Sequence, residues 1–263
     1  MLLVWSPSGG FPPAFAGQDL VSSIDGHIER LEARFDIPIK YKDVFPASSD
    51  IQYSLIPPEE YRLLNDYLDL FEDEINKYPP GFFKRRHLTC IVLVERLFKG
   101  ETPVEGMYNS GRRVMLFDIL RSDRNQSLQR HSIHHEIFHM MAQQLLVFGL
   151  LDDGNWAALN SRDFVYGKQN RSSREQNPVN RFAPNQLGFV TDYAMQSVAE
   201  DQAEVFACLM QKEHKRLIEA WQKNDEILRR KIQAIKEFVV DYDSEMDEAY
   251  WRRLSIVPPE TLP

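Results

Sequence analysis

Alternation of apolar and polar positions divides the chain into predicted helices and strands. From Asp19 to Phe35, apolar residues recur every three or four positions, which predicts a helix. Pro57-Pro58-Glu59-Glu60 places proline in a first helical turn with acids after it, and so predicts a second helix. Residues 125–148 carry enough apolar positions to predict a third helix, buried in the core and followed by Gly149.

Three segments of the first half have the patterns of strands. Leu88 to Val94 is a continuous apolar, β-branched run, which predicts a strand buried on both faces. Ile37 to Tyr41 alternates and predicts a short strand, whereas Gly106 to Gly111 has the composition of a turn. Arg112 to Ile119 predicts a further strand, which could pair with an extended substrate or could be an ordinary sheet edge.

The second half is predicted to be mainly helical. Residues 151–190 lose all periodicity and predict a long loop, whose aromatic residues, such as Trp156 and Tyr166, could line a substrate cleft. Helical spacing returns over three segments, Tyr193–Met210, Glu213–Tyr242 and Ser244–Leu254. The chain is therefore predicted to be an α+β protein, with a small mixed sheet packed on the helix at 125–148.

Composition narrows the class of protein. The 263 residues are 43% hydrophobic and 27% charged, as in an ordinary globular protein. The net charge of −8 argues against a nucleic-acid partner. No run of 18 apolar residues is present, so we expect no membrane span. Cys90 and Cys208 both lie in apolar or amphipathic patterns and are expected to be buried thiols rather than a disulfide.

Length and the first residues bear on domains and compartment. We expect an irregular arm over 1–18 and one domain over 19–263, with an α/β half at 19–130 and a helical half at 131–263. The apolar start at 1–5 is short and is soon broken by proline and glycine, so it makes a poor signal peptide. Composition favours a cytoplasmic protein, or a secreted or periplasmic one if the precursor start is missing.

One segment carries metal chemistry. His135-Glu136-Ile137-Phe138-His139 has the form H-E-x-x-H, and residues four apart share one face of a helix. His135 and His139 can therefore direct two imidazoles at one zinc ion, while Glu136 reaches a metal-bound water as a general base. His131 and His135 are also four apart and could form a rival pair. A histidine-rich helix with hydrogen-bonded or solvated imidazoles is the alternative.

A third ligand has to come from downstream, because catalytic zinc takes three protein ligands and keeps one position open. Glu200 and Glu204 are four apart, in a predicted helix that is otherwise rich in small and apolar residues. Two inward-facing acids are costly unless they are paired or bound to a metal. A solvated acidic face is the other interpretation.

These motifs resemble a known family. H-E-x-x-H is followed, after a long gap, by Thr191-Asp192-Tyr193-Ala194 and then by E-x-x-A-E-x-F-A over 200–207. This order resembles the lethal-factor-like and Pro-Pro-endopeptidase-like zinc metallopeptidases. It is closer still to the bacterial family called "putative zinc-binding metallopeptidases", to which Trp156-Ala157-Ala158-Leu159-Asn160 and Phe164-Val165-Tyr166-Gly167 are also similar. The resemblance covers roughly residues 105–212 and implies a zincin-like catalytic domain.

The resemblance also implies a role for each matching residue. His135, His139 and Glu200 would bind Zn²⁺, and Glu204 would orient a ligand imidazole. Glu136 would be the catalytic base. Tyr193 matches the tyrosine that stabilises the oxyanion of the tetrahedral intermediate, although an aromatic packed in the core is its other interpretation.

One position departs from the pattern. Asp201 stands where the lethal-factor version has an aromatic residue. This leaves open which of Glu200, Asp201 and Glu204 binds the metal.

The sequence thus predicts a zinc-dependent metallopeptidase of the gluzincin type, acting on a peptide or protein substrate. One alternative is a catalytically inactive zinc-containing binding or regulatory protein of the same fold. The other is a helical interaction module that uses the charged segment 213–242. The sequence indicates no oligomeric state.

Overall fold

A mixed sheet and a set of helices share one hydrophobic core. The computed structural model describes residues 13–46, 50–120, 125–146, 153–168 and 186–254. Its helices are α1 (Pro13–Phe35), α2 (Tyr61–Ile75, after a 3-10 turn at Pro58–Glu60), α3 (Phe82–Arg85), α4 (Gln126–Leu146), α5 (Asp153–Ala157), α6 (Val198–Met210, after a 3-10 turn at Tyr193–Gln196), α7 (Lys212–Trp221), α8 (Glu226–Tyr242) and α9 (Glu248–Arg253). Its strands are β1 (Ile39–Lys40), β2 (Ile51–Ser54), β3 (Cys90–Lys99), β4 (Thr102–Pro103), β5 (Gly106–Asn109) and β6 (Val114–Asp118). The predicted α+β class is confirmed.

Strand β3 is the centre of the sheet. The order is β1-β3-β6-β5, in which β1 and β6 run parallel to β3 and β5 runs antiparallel to β6. Strands β2 and β4 pair antiparallel with the far end of β3. The apolar run of β3 serves two cores, because Ile91 and Leu93 face the helices while Val92 and Val94 face a smaller cluster. This confirms the strand predicted to be buried on both faces.

The edge of the sheet lies one strand away from the predicted position. The segment 112–119 forms β6, which is covered on one side by β3 and on the other by β5. At this end of the order the edge strand is β5, in the segment that the composition assigned to a turn, and β1 is at the opposite edge. The turn residues are instead those between β5 and β6, and the hairpin that they close hides β6 from solvent.

Helix boundaries differ from prediction at several places. Helix α1 begins at Pro13, so the irregular arm predicted over 1–18 is wrong for 13–18, while 1–12 lie outside the described residues. The helix predicted from Tyr193 is broken at Ser197, whose Oγ accepts from the Glu200 backbone N–H at 3.2 Å. The long helix predicted over 213–242 is broken before Asp225, whose carboxylate caps α8 through the Leu228 N–H at 2.9 Å. In both places a capping side chain satisfies a new helix N-terminus.

Helix α6 lies deep in the molecule and faces α4. Every residue from Asp201 to Met210 is buried. One hydrophobic cluster includes residues of α1, α2, the sheet, α4 and α6 to α9, so the two halves of the chain share it. Within the described residues, no helix combines the length and apolarity that crossing a membrane requires. The predicted division into domains stays a prediction.

Candidate metal centre

Helices α4 and α6 each present to the other a row of side chains of the types that can bind a metal ion. Residues spaced by four lie above one another on one helix face. On α4 these residues form the histidine row, His131, His135 and His139; on α6 they form the facing row, Glu200, Glu204 and Cys208. The groups of mutually close ligand atoms in the described part of the chain draw on both rows.

The outer end of the two rows brings together three predicted ligands. The Nε2 atoms of His135 and His139 are 3.0 Å apart. Glu200 Oε2 lies 2.9 Å from His135 Nε2 and 3.4 Å from His139 Nε2. A tetrahedral ion with bonds of about 2.0–2.1 Å separates its ligand atoms by about 3.3 Å. The donor set and its spacing therefore fit a zinc ion, which these three residues could hold.

Glu204 lies one helical turn after Glu200, behind the His135 ring, and contacts three buried groups. Its Oε1 lies 2.9 Å from Nδ1 of His135 and 2.9 Å from Nε2 of His131. Its Oε2 accepts a hydrogen bond from Thr191 Oγ1 at 2.7 Å. With Nδ1 on Glu204, His135 directs Nε2 toward His139 and Glu200. This geometry favours the His135/His139 pair over the rival pair formed by His131 and His135.

The metal point is the position between Nε2 of His135, Nε2 of His139 and Oε2 of Glu200. Asp201 points away from it. Its Oδ2 accepts hydrogen bonds from Lys231 Nζ at 2.6 Å, Trp156 Nε1 at 2.9 Å and Tyr166 OH at 2.6 Å. One step along a helix rotates a side chain by about 100°, which separates Asp201 from Glu200. Of the three acids left open as ligands, only Glu200 thus reaches both imidazole Nε2 atoms. Trp156, at 5% exposure, belongs to the core and does not line a cleft.

His134 is also excluded from the metal point, because it faces α2. Its Nε2 lies 2.6 Å from Glu74 Oε2, and its Nδ1 lies 2.8 Å from the Tyr78 hydroxyl. Burial lowers the pKa of His134 to about 4 in spite of the neighbouring carboxylate. A neutral His134 that donates from Nε2 to Glu74 satisfies both ring nitrogens.

Two carboxylates, those of Glu200 and Glu204, make the surroundings of the metal point favourable for a cation. Burial opposes a charge on His135, but the carboxylates of Glu200 and Glu204 outweigh burial and raise its pKa to about 10. Burial likewise opposes ionisation of Glu200, yet the two imidazoles hold its pKa far below its usual range. Two acids in so small a volume create a negative potential that a divalent cation would neutralise.

The side chain of Glu136 extends from α4 toward strand β5. Burial raises its pKa, and this outweighs the opposite effect of the nearby His139 and His135. Strand β5 passes so close that a Cβ at Gly106 would be 2.9 Å from Glu136 Cγ and 3.0 Å from the Leu116 carbonyl oxygen. Glycine is thus the residue that lets the edge strand approach this carboxylate.

Tyr193 lies beside the His135 imidazole. It opens the 3-10 turn before α6, and its ring centre is 5.9 Å from that of His135. The side chain is half-buried rather than fully packed in the core. The structure therefore groups around α4 and α6 the six residues singled out from the sequence: His135, Glu136, His139, Tyr193, Glu200 and Glu204. His135 contacts His139, Tyr193, Glu200 and Glu204, and Glu136 is within electrostatic reach of both histidines.

Sequence reasoning missed three contributors to this region. His131 and Thr191 hold Glu204, and Lys231 holds Asp201. For His131 the signal was its spacing of four from His135, which was interpreted as a rival metal pair. For Lys231 the pattern held no signal, because a lysine on an amphipathic helix is ordinarily solvated.

Comparison with known proteins agrees with this arrangement. No curated protein matches the chain. A crystal structure described as that of "a putative zinc-binding metallo-peptidase from Bacteroides caccae" is similar to this chain, with a TM-score of 0.51. The identity is 16%, over 90% of this chain and 92% of that one, so the likeness concerns the fold. The family model described as "Putative zinc-binding metallo-peptidase" matches residues 22–247. By this match over most of its length, the chain belongs to that family of zinc-binding metallopeptidases.

Proposed function

We propose that the protein is a zinc-dependent metallopeptidase of the gluzincin type, in which His135, His139 and Glu200 hold the zinc ion. One observation carries the proposal: the two Nε2 atoms and the Glu200 oxygen lie 2.9 to 3.4 Å from one another. They come from helices about 60 positions apart in sequence, and their separations match those of tetrahedral zinc ligands.

In this proposal the metal and Glu136 have different roles in catalysis. Zinc, when bound, lowers the pKa of water and polarises a peptide carbonyl. Glu136 takes the proton from the attacking water and passes it to the leaving amine. Burial suits Glu136 to this role, because a carboxylate with a raised pKa holds a proton more readily near neutral pH.

Two further residues support the reaction in this proposal. Glu204 Oε1, which lies 2.9 Å from Nδ1 of His135, would orient that ring and leave Nε2 for the metal. Tyr193 donates a hydrogen bond to the oxyanion that forms on the substrate carbonyl. The lethal-factor-like arrangement of tyrosine, ligand glutamate and orienting glutamate supports both assignments.

The substrate is a peptide in an extended conformation. In the described part of the chain, strand β5 is the edge of the sheet beside Glu136, and an edge offers backbone N–H and C=O groups to a further strand. Pairing along β5 would bring a peptide bond toward the metal point. Specificity would then depend on the side chains that flank this edge.

Substitution Glu136→Gln tests the proposal. Rates on a peptide library should fall about 10²- to 10⁴-fold, the usual contribution of a general base, while zinc content stays unchanged. Glu101→Gln, at an exposed turn, is the matched control and should keep full activity. Cleavage that is equal in the Glu136→Gln and unmodified proteins would contradict the proposal. Cleavage that is absent from both would instead support a zinc-containing binding protein without peptidase activity.

A further inference from the structure

The inner end of the two facing rows holds a second group of metal-binding side chains. His131 of α4, Cys208 of α6 and His214 of α7 each place a ligand atom within 4.8 Å of the other two. Their exposures are 1%, 0% and 9%, so the group is buried. We propose that His131, Cys208 and His214 bind a second zinc ion, separate from the ion held by His135, His139 and Glu200.

The types of donor favour zinc. A thiolate with two imidazoles is a set that zinc accepts at about 2.3 Å from sulfur and about 2.0–2.1 Å from nitrogen. Calcium and magnesium prefer oxygen ligands and would not select this group. Three protein ligands leave a fourth position, which a water molecule would take.

Glu204 supplies the support that a ligand imidazole needs. A histidine bound to a metal ordinarily gives its other ring N–H to a carboxylate. Nε2 of His131 lies 2.9 Å from Glu204 Oε1, so Nδ1 is the nitrogen assigned to the second ion. The same oxygen contacts Nδ1 of His135 at 2.9 Å, and one carboxylate thereby orients a ligand of each ion.

The second ion would have a positioning role. It joins α4, α6 and the start of α7, and it fixes His131 against Glu204 behind the first site. The His131 and His135 ring centres are 6.2 Å apart, and His135 turns Nε2 to the opposite side, toward Glu200. The two ions would therefore share Glu204 as a common support and no ligand.

Cobalt substitution of the full chain distinguishes this site from the first. Only the proposed second site contains sulfur, so Co²⁺ bound there gives the near-ultraviolet thiolate-to-cobalt charge-transfer band. We expect this band in the unmodified protein and in Cys90→Ala, whose thiol lies in β3 in the other core cluster. We expect its loss in Cys208→Ala. Absence of the band from the cobalt-loaded unmodified protein would overturn the proposal without depending on any variant.

Zinc counting provides an independent result. Protein purified without chelator should contain about two zinc ions per chain, falling to about one in Cys208→Ala, with Cys90→Ala unchanged. His139→Ala should also lose one ion yet keep the thiolate band under cobalt. If His139→Ala keeps the thiolate band but has no peptidase activity, the first site has been lost while the second remains. The two sites can therefore fail separately. One zinc per chain in the unmodified protein would contradict the second site.

Discussion

At the scale of single residues, the site depends on which ring nitrogen or carboxylate oxygen faces which neighbour. His135 has Nδ1 beside Glu204 and Nε2 beside His139 and Glu200, so this one imidazole lies between the two acids. Neighbours in sequence diverge because a helix turns about 100° per residue. Glu200 faces the metal point, whereas Asp201 faces Lys231.

The role of Tyr193 can be tested at this scale. Tyr193→Phe removes the hydroxyl that would stabilise the oxyanion, and we expect kcat to fall about 10²- to 10³-fold. Zinc content should be unchanged, because the tyrosine is not assigned as a ligand; steady-state kinetics and metal analysis are the two measurements. Tyr61→Phe, on α2 and packed against Tyr41, is the control with no expected effect. Zinc loss in Tyr193→Phe would contradict the assigned role.

Gly106 can be tested in the same way. Alanine would place Cβ 2.9 Å from Glu136 Cγ and 3.0 Å from the Leu116 backbone oxygen, which cannot move easily. We expect a loss of about 1–3 kcal/mol in the free energy of unfolding, measured in urea, and a lower kcat with zinc retained. Gly111→Ala meets Asn109 Oδ1 at an ordinary 3.5 Å and should change neither quantity. Equal stability of the two variants would show that β5 can retreat from Glu136.

At the scale of elements, buried polar contacts fix the segments around α6. Asp201 on α6 binds Lys231 on α8, and both side chains are fully buried. Lys231 also donates to the Gly188 carbonyl at 2.8 Å and lies 3.8 Å from the Phe189 ring centre. Trp156 joins α5 to the same carboxylate. This pair therefore holds the segment that leads to Tyr193 against two helices.

Removing the lysine tests this arrangement. Lys231→Met leaves Asp201 buried without its cation, and we expect a loss of about 3–5 kcal/mol in the free energy of unfolding. Lys236→Met, on the same helix, removes the ion pair with the exposed Glu248 and a 6.0 Å approach to the Trp251 ring, and it should cost at most about 1 kcal/mol. Denaturant unfolding measures both variants. A small effect at Lys231 would mean that Asp201 takes up a proton at little cost, since burial already raises its pKa.

At the scale of the whole molecule, the metal would join two helices that are distant in the chain. His135 and His139 lie on α4, which follows the sheet, whereas Glu200 lies on α6, so an ion bound by all three would link these helices. A ligand that binds only the folded state at about 1,000 times its Kd adds about 4 kcal/mol of stability. Cations that neutralise the two acids should therefore stabilise the entire fold.

Zinc removal measures this coupling. We expect a chelator to lower the Tm by roughly 10 °C, with recovery on adding zinc, in thermal unfolding followed by circular dichroism. His139→Ala should show a smaller chelator effect, because a ligand of the first ion is gone. His87→Ala, at an exposed turn after α3, should respond like the unmodified protein. A Tm that is insensitive to chelator in the unmodified protein would contradict metal coupling.

Local periodicity by itself determined the α+β class, the buried strand at 88–94 and the helix that carries H-E-x-x-H, because burial imposes a repeat that the chain displays. Spacing of four also placed His135 with His139 and Glu200 with Glu204 on single faces. Tertiary structure alone decided that these faces meet, that Glu200 rather than Asp201 lies beside the His135 and His139 imidazoles, and that β5 rather than β6 is at the edge of the sheet. Those outcomes depend on contacts between residues distant in sequence, such as Asp201 with Lys231, for which neither partner carries a local sign of the other.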